Sequence, residues 1–171
     1  MKTINGSLLK NFLISGSSNI INNKDRIDAM NVFPVPDGDT GSNMAGTVQA
    51  GIDELKRIDG NVDKISSTYG RATLMSARGN SGVIMSQIIK GLTVVAKNKE
   101  LFTIKDLIEM FVQSQIYSYK SVMTPIEGTI LTVVRITSEK LQEKKDTYNS
   151  IEEVLKDAVT FAKQACKRTP E

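Results

Sequence analysis

Asn31-Val32-Phe33-Pro34-Val35-Pro36-Asp37-Gly38-Asp39-Thr40-Gly41-Ser42-Asn43 separates two helical stretches of the chain. Pro34 and Pro36 forbid continuation of a helix arriving from the N-terminal side, since proline lacks the amide donor and its ring clashes with the preceding turn. Followed by Asp37-Gly38, they make the segment a loop between helices rather than a central strand. Asp37 and Asp39 stand two residues apart on this proline-stiffened loop, a spacing that can turn both carboxylates toward one point. Such a pair repels itself unless a cation sits between. Hard oxygen ligands on a pre-shaped loop suit Mg²⁺, which takes one or two carboxylates and completes its shell with waters and phosphates. Thr40, Gly41, Ser42 and Asn43 then open a helix, where unpaired N–H groups and the dipole favour an anion and Gly41 permits close approach. Carboxylates followed by a phosphate-sized anion site make a metal–nucleotide arrangement. Taken alone, the same residues also suit a plain connector, because Pro-Asp-Gly is a common turn and Asp or Thr a common helix cap.

Outward from the loop, periodicity predicts helices throughout. Leu8, Leu9, Phe12, Leu13, Ile20 and Ile21 share one side of a helix over about 3–22, and Ile27 and Met30 mark a short one over about 24–31. After the loop, Met44, Val48, Ile52 and Leu55 define a helix from Gly41 to about Arg57. Five more are expected near 61–77, 81–98, 103–122, 128–143 and 150–167, with Asn61, Ser81, Thr103 and Ser150 placed as caps or first residues. The run Thr129 to Val134 is rich in β-branched residues but joins helical periodicity, so the chain reads as all-α. Met30, Met44, Met75, Met85 and Met110 fall on helical patterns as core filler, with Met44 also beside the phosphate turn, and Cys166 reads as a packed small residue.

At 171 residues the chain suits one domain, and no repeat or Pro/Gly/Ser linker divides it. Its net charge of +3 comes from 22 basic and 19 acidic residues scattered along the sequence, which does not call for a nucleic acid partner. Histidine is absent and Cys166 is the single cysteine, so a metal must be held by oxygen. No apolar run is long enough for a signal peptide or an integral membrane segment, which makes the cytoplasm the expected compartment.

Two further breaks carry polar residues. Ser76-Ala77-Arg78-Gly79-Asn80-Ser81-Gly82 offers a second helix start with hydroxyl, amide and guanidinium donors, or equally a helix end followed by a cap. Thr124-Pro125-Ile126-Glu127-Gly128-Thr129 is a break followed by a helix, with Thr129 able to point a hydroxyl into a site. Arg135 lies mid-helix and reads as a solvated or paired surface residue outside the site. Neither a P-loop nor a Gly-x-Gly-x-x-Gly motif occurs, and an EF-hand starting at Asp37 would place Ser42 and Val48 where glycine and glutamate are required.

The stretch Asn31 to Met44, with Ala77-Arg78-Gly79-Asn80-Ser81-Gly82-Val83-Ile84 and Pro125-Ile126-Glu127-Gly128-Thr129-Ile130-Leu131, resembles the nucleotide-binding domain of bacterial fatty acid kinases, in the dihydroxyacetone kinase superfamily. The resemblance spans essentially the whole chain. It implies an antiparallel eight-helix barrel with nucleotide bound at one end, and Asp37 and Asp39 coordinating two Mg²⁺ ions that bridge the phosphates of ATP. Thr40 to Asn43 match the phosphate-contacting backbone, followed by Met44. Asn80 and Ser81, flanked by Arg78 and Gly82, match a second phosphate or ribose contact, and Gly128 and Thr129 match the pocket lining. The implied reaction moves the γ-phosphoryl group of ATP to a fatty acid carboxylate presented by a separate carrier protein. Expected partners are therefore ATP, that carrier acting through a full-length parent, and a second parent copy in a homodimer.

The sequence departs from the dihydroxyacetone kinase pattern at two loop positions. Asn31 stands one residue out of register with an upstream aspartate, which makes it the candidate third metal ligand, and Thr40 stands where that loop has histidine. A dihydroxyacetone or other small-polyol kinase subunit is the alternative enzyme, and a non-catalytic helical module of the same fold the alternative outside enzymes. Since the resemblance continues beyond Lys167-Arg168-Thr169-Pro170-Glu171, the chain is expected to be an N-terminal fragment that binds ATP incompletely and lacks kinase activity alone.

Overall fold

Local capping chemistry sets most of the helix starts in the computed structural model, which describes residues 1–32 and 35–170. Among these residues there are eight helices: α1 (Gly6–Asn22), α2 (Lys24–Ala29), α3 (Thr40–Leu55), α4 (Val62–Met75), α5 (Gly79–Ala96), α6 (Ile104–Lys120), α7 (Ile130–Glu143) and α8 (Ile151–Arg168). The Asn5 side chain accepts the Leu8 amide at 2.9 Å to open α1, and Asn61 accepts the Lys64 amide at 2.9 Å to open α4. Thr103 and Asp106 form a reciprocal capping box on α6, and Ser150 accepts the Glu153 amide at 3.2 Å on α8. Ser81 is not a cap. α5 begins two residues earlier, because Gly79 takes a positive φ of 62° that turns the chain into the helix directly after Arg78.

The fold is all-α apart from one ribbon, β1 (Thr3–Ile4) paired antiparallel with β2 (Phe102–Thr103), too short to carry a periodicity. It buries Ile4 and Phe102, joining a core of Val48, Leu55, Ile65, Tyr69, Leu92, Ile108, Leu141 and Val154. Each such side chain contributes about 1.5–3 kcal/mol on leaving water. α1, α3, α4 and α5 pack together, and α6, α7 and α8 continue the row, each against its neighbour. Among the described residues no helix is long and apolar enough to cross a membrane.

Three side-chain expectations fail. Met30 and Met75 are 60% and 80% exposed, since each lies at or just past a helix end that faces solvent. Cys166 is exposed because Ala165, one position earlier, is the residue that α8 turns inward. Pro34, expected to stiffen the loop, lies outside the described residues, as does Glu171.

Short connections between packed consecutive helices make them run antiparallel, which assigns each loop to an end. At one end the Lys10 ammonium reaches the Ile58 carbonyl at 2.6 Å, Val62 N–H reaches Glu100 O at 3.3 Å, and Ile151 N–H reaches Met1 O at 2.8 Å. The opposite end receives the starts of α3, α5 and α7 and the end of α8. The three polar breaks of the sequence therefore share one end of the bundle.

Candidate functional site

The acidic loop enters α3 through an unusual division of labour. Asp39 occupies the N-cap position, yet its side chain caps nothing. The work is done by two residues from upstream. Asn31 Oδ1 accepts the Asp39 amide at 3.2 Å, the Thr40 amide at 3.2 Å and the Thr40 hydroxyl at 2.7 Å, while its Nδ2 donates to Val35 O at 3.1 Å. Asp28, at the end of α2, accepts the Ser42 amide on Oδ1 at 3.0 Å and the Ser42 hydroxyl on Oδ2 at 2.6 Å. The Ser42 hydroxyl, followed by its amide, holds the Asp28 carboxyl below the usual carboxylate range. Asp37 and Asp39 are both exposed and, among the described residues, their carboxylates enter no hydrogen bond or ion pair.

The geometry gives two of the expected site residues a part in holding the loop on α3. Asn31, the expected third metal ligand, holds the loop to the helix, its Oδ1 accepting all three of these donors. Gly41 permits close approach, but of α2: a Cβ there would stand 2.1 Å from the Lys24 carbonyl oxygen. With Asp28 on Ser42 and Asn31 on Thr40, the first turn of α3 is largely satisfied from within the chain.

The second break lies directly against the first. Ser81 donates its hydroxyl to the Thr40 carbonyl at 3.3 Å, and a Cβ on Gly79 would meet the Asn43 side-chain nitrogen, Nδ2, at 2.5 Å. Gly82 is buried where a Cβ would lie 2.6 Å from Thr47 Oγ1. Thr47 itself links the helices, donating to Asn43 O at 2.8 Å and accepting the Arg78 amide at 3.3 Å. Met44 is half-buried in the same part of α3. Arg78 lays its guanidinium along α3, with Nη1 3.3 Å from the position a Cβ would take on Gly46. Among the described residues no side chain caps α5, and Asn80 is exposed at its first turn.

At the third break, the Thr129 hydroxyl donates to Ile126 O at 2.7 Å and accepts the Leu131 amide at 3.3 Å. Thr129 therefore caps α7 beside Gly128. Gly128, at φ 80°, donates its amide to Thr132 Oγ1 at 2.8 Å and lines a cavity of about 570 Å³ with Glu127, Thr132, Arg135, Arg168 and Thr169. Arg135 is paired as expected, to Glu127 at 3.0 Å and Glu139 at 3.3 Å, but it also borders this cavity. Hydrogen bonds from Thr132 and then Arg135 hold the Glu127 carboxyl below its ordinary value. Asp28 and Thr47 are the functional candidates that sequence reasoning missed; both act through partners distant in sequence.

The model of the DAK2 domain matches residues 34–171, covering the acidic loop from Pro34 and both later breaks. Uncharacterized proteins of Staphylococcus aureus strains bovine RF122 / ET3-1 and USA300 are each 38% identical over 168 residues, covering 98% of this chain and 31% of theirs. The chain therefore spans about a third of the length of these relatives. It belongs to the DAK2 domain family, the nucleotide-binding type of domain of the dihydroxyacetone kinase superfamily.

Proposed function

We propose that the chain is the ATP- and Mg²⁺-binding unit of a kinase that phosphorylates the carboxylate of a fatty acid held by a separate carrier protein. The observation that carries the metal reading is Asp39 standing uncapped and unpaired at a helix start whose amides Asp28 and Asn31 have taken. Two carboxylates two residues apart, both exposed and without a cation partner among the described residues, suit hard divalent ions. Among the described residues no three acidic, cysteine or histidine side chains form a metal cage, so water and the nucleotide phosphates would complete the shell.

In this reading Asp37 and Asp39 would hold two Mg²⁺, which when bound would neutralise the charge of the transferring phosphoryl group. Asn80, Ser81 and the open start of α5 receive phosphate or ribose, Arg78 adds a positive charge, and Gly128 borders the rest of the nucleotide. A fatty acid carboxylate oxygen attacks the γ-phosphorus, the bond to the β-phosphate oxygen breaks, and ADP leaves. No side chain of this chain has to form a covalent bond, because such transfer depends on positioning and charge. The acceptor assignment is supported by the likeness of Asn31 to Met44 to the fatty acid kinase loop. The carrier protein and a homodimer belong to the longer parent.

A thermal melt with Mg²⁺ and a non-hydrolysable ATP analogue tests the reading, because a ligand that binds only the folded state must raise its melting temperature. A rise in the unmodified chain that is absent from Asp37→Ala and Asp39→Ala is expected. An equal rise in all three would move the site elsewhere.

A further inference from the structure

An N-cap side chain ordinarily accepts the amide of the second or third helical residue. In α3 the N-cap is Asp39 and the third residue is Ser42, so Ser42 N–H is the group Asp39 would be expected to take. Asp28 holds it instead, at 3.0 Å, and adds the Ser42 hydroxyl at 2.6 Å. The substitution is possible because α2 lies hard against α3 at Gly41, where any side chain would collide with Lys24. Asn31 completes the first turn by holding the Thr40 amide.

We infer that Asp28 is a positioning residue that caps α3 in place of Asp39, and so keeps the Asp39 carboxylate exposed and free to act with Asp37, two residues away. Without it, the Ser42 amide stands open directly behind Asp39. An aspartate there turns in to accept the amide, which divides its oxygens between helix and metal and breaks the pairing with Asp37. The acidic pair is therefore maintained by a third carboxylate that itself binds no ion. The metal consequence rests on the proposed function, whereas the capping claim does not.

Two measurements separate them. In a thermal-melt cycle without ligand, Asp39→Ala is expected to leave the melting temperature within about 1 °C, and Asp28→Ala to lower it modestly because Asp39 takes over. The double variant should fall about 3 °C further than the sum, since only then does the cap disappear. Additive effects would overturn the capping claim. In calorimetric titration with Mg²⁺ and the ATP analogue, Asp28→Ala should weaken binding about tenfold, and Asp28→Asn, which keeps an acceptor for Ser42, by no more than about threefold. Unchanged binding in Asp28→Ala would overturn the positioning claim. Failure of the unmodified chain to bind would count against the proposed function alone, leaving the melting cycle to decide the cap.

Discussion

The starts of α3 and α5 lie side by side at one end of the bundle, joined by Ser81 to Thr40 and by Thr47 to Arg78, and they are finished in opposite ways. At α3, Asp28 and Asn31 occupy the amides, and the two nearest acids are left in water. At α5, a left-handed glycine turns the chain into the helix and, among the described residues, no side chain caps it. The first arrangement spends polar groups to keep negative charge free, and the second leaves donors free. A metal–phosphate ligand needs both kinds of surface in one place. Finishing both helices in the same way would not provide both.

The largest expected effect comes from removing the acids. With analogue and Mg²⁺ at about a hundred times the dissociation constant, binding stabilises the native state by about 2.7 kcal/mol, and Asp37→Ala or Asp39→Ala should abolish that increment in a melt. Next is Gly79→Ala, which forces an alanine to φ 62° and drives its Cβ into the Asn43 side-chain amide. A cost of about 2 kcal/mol is expected, read as a fall of about 5 °C in melting temperature. Arg78→Ala should leave ligand-free melting unchanged and weaken analogue binding by about 1 kcal/mol, a loss that calorimetry at rising salt should diminish.

The capped side can be probed by acid. Because the folded-state pKa of Asp28 is depressed, its contribution is present above the ordinary carboxylate value and lost as pH falls through the folded value. The melting difference between Asp39→Ala and Asp28→Ala/Asp39→Ala should therefore be full at neutral pH and shrink below about pH 4. The smallest effect lies away from both helix starts. Thr137 Oγ1 is buried with no partner among the described residues, so Thr137→Val should raise the melting temperature slightly, by up to about 1 kcal/mol of stability, without changing ligand binding.

How much of this was legible in the sequence follows from how far each cause reaches along the chain. Helices were legible because a 3.6-residue period is local, and so were the caps at Asn61, Thr103 and Ser150, whose partners lie three residues on. The β1–β2 ribbon escaped because two residues cannot show alternation. The start of α5 was misplaced at Ser81 because the backbone turn at Gly79 does not appear in a hydrophobic pattern. In the site, the acids and glycine-rich breaks stood out by composition. Their meeting at one end required the packing of α3 on α5. Asp28 looked like an ordinary polar residue of a short helix, and nothing at its own position announces a bond to Ser42. The same holds for Thr47, whose importance lies in the Arg78 amide it receives from another helix.

The central claim is that a divalent ion and a phosphate meet between the freed acids and the uncapped start of α5. Substituting Mn²⁺ for Mg²⁺ in an amide NMR spectrum recorded with the ATP analogue tests this most directly, because the paramagnetic ion broadens the signals nearest to it. Gly38, Asp39, Asn80 and Ser81 are expected to broaden first, and Asp39→Ala to remove the effect. Broadening centred instead on the opposite end, around Asn149 and Glu153, or broadening that survives Asp39→Ala, would contradict it.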